Sequence, residues 1–86
     1  MLRSVIICPD QELSAELRDV LEQTRGIAIL RTLDSYPNEV DLVRFLRATA
    51  PEIVFLSVES PRRALPIAAA IEVQAPGTQV LERDDF

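Results

Sequence analysis

The fold of this chain is decided at residues 51–57, which read Pro51-Glu52-Ile53-Val54-Phe55-Leu56-Ser57. Proline disfavours helical conformation at the residue before it, so a helix is expected to end at this point. The apolar run 53–56 has no polar alternation, which is typical of a strand covered on both faces of a parallel sheet. We therefore predict a central strand here, with helices on both faces.

A second apolar run lies near the amino terminus, at residues 5–8. Pro9 and Asp10 end this predicted strand, and Asp10 is suited to cap the helix that follows. The apolar stripe of that helix is formed by Leu13, Leu17, Val20 and Leu21. Gly26 is expected to close the helix in a left-handed conformation. Between the helix layers we expect the side chains of Ile6, Ile7, Val54 and Phe55 to be buried.

The middle of the chain continues the alternation of strand and helix. Residues 27–30 predict a second strand, and residues 35–37, Ser-Tyr-Pro, predict the start of a second helix with proline in its first turn. The apolar side of this helix is assigned to Val40, Val43, Phe45 and Leu46.

A third helix is predicted from Ser60, as its cap, to about Gln74. Pro66 lies inside it, so a kink or a later start is expected there. Residues 78–81 predict a fourth strand with the character of an edge. The order β-α-β-α-β-α-β indicates an α/β domain with a mostly parallel sheet and right-handed crossovers.

Composition limits the possible functions. The 86 residues predict a single domain spanning 1–86, and Cys8, as the only cysteine, excludes an internal disulfide and is expected to be buried and inert. With no histidine, a conventional zinc site cannot form within the chain, and no metal or cofactor is expected. The net charge of -5, without a basic stripe, argues against nucleic-acid binding.

The apolar runs are far shorter than the about 20 residues that a membrane span needs. The amino terminus has a single basic residue before a very short apolar stretch, which is unlike a secretory signal. We therefore expect no membrane insertion and a cytoplasmic location.

The stretches 5–10, 17–22 and 50–58 together resemble the first strand, first helix and third strand of phospho-receiver (CheY-like) domains. This resemblance covers nearly the whole chain and implies the flavodoxin-like three-layer sandwich. Within that superfamily, residues 36–47 and 75–80 are most similar to the atypical amino-terminal receivers of pilus-assembly ATPases of the CpaE/TadZ type.

The same resemblance implies a degenerate phosphorylation pocket. Phosphorylated receivers use an aspartate at the end of the third strand and an acidic pair after the first strand that holds Mg²⁺. Here those positions are Ser57 and the pair Cys8-Pro9. Asp10 lies one position beyond the pair and is better suited to cap the helix, and Glu59 is expected to be a solvated loop charge near the same pocket. Ser57 has no histidine or lysine to activate it, so no catalytic residue is predicted.

The resemblance also implies a fifth strand and a fifth helix, which this sequence lacks. The domain is thus expected to be truncated after its fourth strand, with the family's switch hydroxyl position near Asp84 and its lysine absent. Two interpretations are open, a fragment of a longer protein and a shortened domain that another chain completes. We expect the surface left open to mediate self-association through the flank of the first helix and the outer strand. The expected interface residues are Leu17, Leu21, Val80 and Leu81.

Three classes of function are compatible with these features. The favoured one is a non-phosphorylated pseudo-receiver that acts as a protein-interaction or dimerisation module, in pilus assembly or polar localisation. The alternative is a receiver of two-component phosphorelay signalling with a non-standard acceptor. A small enzyme on a flavodoxin-like fold is the third, but the sequence has no glycine-rich phosphate loop after its first strand, so no small-molecule substrate is expected.

Overall fold

The computed structural model of the chain describes residues 1–83. Its elements, in chain order, are β1 (Leu2–Ile7), α1 (Gln11–Gln23), β2 (Ile27–Leu33), α2 (Glu39–Thr49), β3 (Ile53–Ser57), α3 (Pro61–Gln74) and β4 (Gln79–Arg83). The predicted alternation of strands and helices is confirmed. Across residues 1–83, no helix combines the length and the apolar character that crossing a membrane requires.

The four strands form one sheet in the order β2-β1-β3-β4, and all three pairings are parallel. From β1 the chain adds β2 on one side and then crosses to add β3 and β4 on the other. This order has a topological switch point between β1 and β3. The predicted α/β class, with a flavodoxin-like parallel sheet and helix layers, is confirmed.

The core is divided by the sheet into two clusters. The cluster on the side of α2 and α3, which we call the α2/α3 face, contains Val5, Ile7, Tyr36, Leu42, Phe45, Leu46, Val54, Leu56, Ala64, Ile67, Ala68 and Ile71. The other, on the α1 face, contains Ile6, Cys8, Leu21, Ile53 and Phe55. All five residues of β3 are buried, so the run that predicted a doubly covered strand does form one.

The residues predicted to be buried in these strands are confirmed. Ile6, Ile7 and Val54 are 0% exposed and Phe55 is 7% exposed. Neighbouring side chains in the two central strands point to opposite faces, which is why both clusters draw on the same apolar runs.

The start of α1 agrees with the sequence-based prediction, and its end does not. The carboxylate Oδ1 of Asp10 accepts hydrogen bonds from the N–H groups of Glu12 and Leu13, at 2.9 and 3.2 Å, which confirms the predicted cap. The helix ends at Gln23, and Gly26 takes its positive φ of 93° at the turn into β2. Gly26 therefore does not close α1. Val20 is 61% exposed, so the apolar stripe of α1 is narrower than predicted.

The second helix starts later than predicted. Asn38 is its N-cap, with Oδ1 accepting from the N–H of Asp41 at 2.8 Å, so Ser35, Tyr36 and Pro37 lie in the loop before it. Val40 is 61% exposed, while Leu42 is buried and joins Phe45 and Leu46 in the core. Because residues two apart lie about 200° apart around a helix, Val40 and Leu42 cannot both face the core.

The third helix runs without interruption through Pro66, so the expected later start is wrong. Its buried residues Ala64, Ile67, Ala68 and Ile71 pack on both sides of the proline along one face. Packing of an apolar face contributes more to helix stability in a protein than one backbone hydrogen bond. Ser60 is the N-cap residue, although its side chain makes no capping bond.

Candidate functional site

The carboxyl ends of β1 and β3 meet at the switch point, which is where ligands bind in open α/β sheets. Cys8 follows β1 directly, and Ser57 ends β3. Because Ile7 pairs with Leu56, the next residues along each strand, Cys8 and Ser57, are neighbours, and both are 0% exposed. The structure thus brings together these two predicted pocket residues.

The Cys8 thiol is held in a neutral state. Its Sγ donates a hydrogen bond to the backbone carbonyl of Asp10 at 3.3 Å. Burial raises the pKa of the thiol above its ordinary value of 9.0, and the carboxylates of Asp10 and Glu59 raise it further. A thiol that stays protonated at neutral pH is a poor nucleophile and a poor metal ligand.

The other predicted pocket residues each make separate contacts. The Asp10 carboxylate caps α1, as expected, and is occupied by two backbone N–H groups. Pro9 is half-buried in the turn between β1 and α1. Glu59 is exposed, and its backbone N–H, not its carboxylate, donates to Ser57 Oγ at 3.4 Å. The carboxylates of Asp10 and Glu59 thus lie near enough to raise the pKa of Cys8, but the first is held by the helix cap and the second belongs to an exposed residue.

Tyr36 is the site residue that the sequence did not predict. Its hydroxyl donates to the backbone carbonyl of Ser57 at 2.6 Å and accepts from the N–H of Ser60 at 3.4 Å. The residue is 8% exposed, and the Arg63 guanidinium lies 5.3 Å from the centre of its ring. These contacts tie the loop after β2 to the loop after β3, an arrangement that we call the Tyr36 clamp.

A signal for this clamp exists in the sequence. Tyr36 is the only tyrosine, and a buried tyrosine hydroxyl usually requires a hydrogen-bond partner. Backbone carbonyls at the end of the predicted central strand, such as that of Ser57, can supply this partner. Assigning residues 35–37 to the second helix concealed this possibility.

A recess of about 480 Å³ lies beside the clamp, between the amino-terminal halves of α2 and α3. Its walls are formed by Tyr36, Pro37, Asn38, Glu39, Leu42, Arg63, Pro66, Ile67 and Ala70. Arg63 supplies a cation, Glu39 a carboxylate and Asn38 an amide, and the rest of the lining is mainly apolar. This lining is suited to holding a side chain of another molecule rather than to acid–base chemistry.

The polar groups at the carboxyl edge are satisfied by one another. Within residues 1–83, every buried side-chain nitrogen or oxygen has a hydrogen-bond partner. The same part of the chain holds no cluster of three histidine, cysteine, aspartate or glutamate side chains that could bind a metal ion. The edge is therefore built as a closed hydrogen-bonded network.

The predicted interface residues divide into buried and accessible ones. Leu21 is 6% exposed and packs in the α1-face cluster, against which Leu17 is half-buried. Val80 is half-buried against the cluster of the α2/α3 face, and Leu81 is 42% exposed. The predicted switch position near Asp84 lies outside the described residues.

The resemblance to receivers stays a prediction from the chain's own residues. No protein-family model matches the chain, and no curated protein matches it.

Proposed function

We propose that this chain is a receiver-like module that is not phosphorylated and that acts by binding protein, with a second copy of itself as the principal partner. The observation that supports this most directly is the buried pair Cys8 and Ser57 at the switch point. Both are 0% exposed, and neither carries a carboxylate.

Phosphoryl transfer at this position would need an exposed nucleophile and a cation beside it. Ser57 Oγ instead accepts the N–H of Glu59 inside the protein. The neighbouring thiol is neutral, because burial raises its pKa. These contacts favour a structural role for the pair over the phosphorelay alternative.

The Tyr36 clamp supports the same proposal. It joins two loops at the carboxyl edge through a hydrogen bond to the carbonyl of Ser57. In this chain, the residue at the phosphoacceptor position therefore holds the two loops together. A module that presents a constant surface to a partner benefits from such a connection.

Support for a binding role comes from the surface. Large apolar side chains are exposed on α3 and β4, namely Leu65, Val73 and Leu81. A helix with apolar residues on its outer side as well as its inner side is typical of one that becomes covered. The narrower setting implied by the resemblance, pilus assembly or polar localisation, stays a prediction.

The proposal is tested by titrating Mg²⁺ with BeF₃⁻ while amide NMR spectra are recorded. We expect no saturable shift at Asp10, Ser57 or Glu59, because Cys8, Pro9 and Ser57 stand where receivers carry carboxylates, and the Asp10 carboxylate caps α1. A receiver with its aspartates intact, treated in the same buffer, provides the positive control. Saturable shifts clustered at these three residues would contradict the proposal and favour the phosphorelay alternative.

A further inference from the structure

The two edges of the sheet differ in how well they can pair with another strand. At the β2 edge the register with β1 shifts between Ser4 and Val5, which leaves Leu30 as an extra residue in a bulge. The next residue, Arg31, is exposed and places its guanidinium 5.5 Å from the ring centre of Phe45. Bulges and charged side chains are the features by which proteins prevent edge-to-edge pairing.

The β4 edge has no bulge, and its two charged residues, Glu82 and Arg83, lie at its carboxyl end. Its five residues pair with β3 in continuous register from Gln79 to Arg83. The N–H of Gln79 donates to the carbonyl of Glu52, so alternate residues from Gln79 onward bond to β3. By the same alternation, Val80 and Glu82 direct their N–H and C=O groups to the side of β4 that has no neighbouring strand within residues 1–83. Four backbone groups are thus presented in a regular row.

Apolar side chains flank this row on both faces of the sheet. Leu81 is 42% exposed on the α1 face. On the opposite face, α3 carries Leu65, Ala69 and Val73 at intervals of four residues, all exposed, and we call them the α3 stripe. Helical spacing places Leu65 and Ala69 on the flank of α3 that faces away from α2, on the side of β4.

We propose that two copies of the chain join through β4 in antiparallel orientation, about a two-fold axis perpendicular to the sheet, to form one continuous sheet of eight strands. This inference rests on the proposed function and names its partner and surface. In the register that uses all four outward groups, Val80 exchanges hydrogen bonds with the partner's Glu82, and Glu82 with the partner's Val80.

The same register explains the position of the exposed leucine. Leu81 lies on the two-fold axis, opposite the partner's Leu81, in a pair without hydrogen bonds, where side chains approach most closely. The outward groups of Val80 and Glu82 complement those of an identical strand, as an isologous contact requires. An identical strand also brings its own Leu81 against this one, so each copy covers the exposed leucine of the other, and this symmetric pair favours a second copy.

The α3 stripes of the two copies lie on one face of the joined sheet, on either side of the new seam. They add apolar surface to the four backbone hydrogen bonds, and short edge pairing alone is marginal. The first helix contributes less than the sequence predicted, because Leu21 is already buried beneath α1.

Sedimentation of the full chain and of matched variants over a range of concentrations tests this arrangement. Leu81→Arg places a charge on the axis, whereas Leu30→Arg changes a residue of the β2 edge with nearly the same exposure, 40% against 42%. We expect Leu81→Arg to raise the dimer dissociation constant by at least about tenfold and Leu30→Arg to leave it unchanged. Circular dichroism confirms that both variants are folded.

A second pair of variants tests the backbone contact itself. Glu82→Pro removes an outward N–H without removing a bond to β3, whereas Glu82→Ala keeps the N–H and changes only the side chain. We expect Glu82→Pro to dissociate the dimer and Glu82→Ala to preserve it. In the native chain, amide exchange at Val80 and Glu82 should slow as the concentration rises.

A native chain that stays monomeric at high micromolar concentration would overturn the inference. A dimer that survives both Leu81→Arg and Glu82→Pro would also overturn it, because another surface must then hold the copies together. Neither result depends on the response to Mg²⁺ and BeF₃⁻, so failure of this interface is distinguishable from failure of the non-phosphorylated assignment.

Discussion

Tyr36 shows how one hydroxyl can define the carboxyl edge of this sheet. Its 2.6 Å bond to the Ser57 carbonyl is buried, and it spans 21 residues of sequence. We expect Tyr36→Phe to lower the free energy of unfolding by about 1–3 kcal/mol, because a buried acceptor is left without its donor. Urea unfolding measures the loss. Ser35→Ala, an exposed change next to it, should cost less than about 0.5 kcal/mol.

If Tyr36→Phe is as stable as the native chain, the clamp contributes nothing to stability. Amide shifts at Ser57 and Ser60 would then show whether the two loops still keep their positions.

Cys8 makes stability depend on pH in the alkaline range. Burial raises its pKa in the folded chain above the ordinary 9.0, so the folded state keeps the thiol proton more firmly than the unfolded state does. This contribution is fully present below the unfolded pKa and is lost as pH rises toward the folded pKa. We expect the native chain to lose more stability than Cys8→Ala when urea unfolding is repeated from pH 8 upward. Equal losses in the two proteins would contradict this.

Among the secondary-structure elements, β1 and β3 have side chains in both core clusters. We expect Phe55→Ala to lower the free energy of unfolding by about 3–5 kcal/mol, since it leaves a cavity in the smaller cluster on the α1 face. Urea unfolding is the measurement. Val20→Ala, on the exposed side of α1, is the control and should change stability little. A loss below about 1 kcal/mol for Phe55→Ala would mean that this cluster repacks around the cavity.

The elements also show where local signals are reliable. Asp10 caps α1 as predicted, because an N-cap acts on backbone groups only two and three residues away. The start of α2 was predicted too early, since Pro37 fits a first helical turn equally well on local grounds. Its true position follows from Tyr36, whose hydroxyl reaches β3, and from Asn38, which caps the helix after that contact.

At the scale of the whole molecule, the two faces of the sheet are unequally covered. Two helices pack over a cluster of twelve buried residues, whereas α1 alone covers a cluster of five. The two edges are also unequal, with a bulge in β2 and a regular register in β4. A partner that pairs with β4 would extend the sheet where its edge is least protected.

The sequence by itself determined the order of the elements, the doubly covered central strands and the lack of carboxylates at Cys8, Pro9 and Ser57. These properties depend on residue type and on spacing along the chain, which hydrophobic periodicity and capping report directly. Only the tertiary structure decided that Tyr36 reaches Ser57, that Leu21 is covered and that β4, not β2, is the regular edge. Each of these depends on contacts between residues far apart in sequence, and on a one-residue register shift that no local pattern encodes.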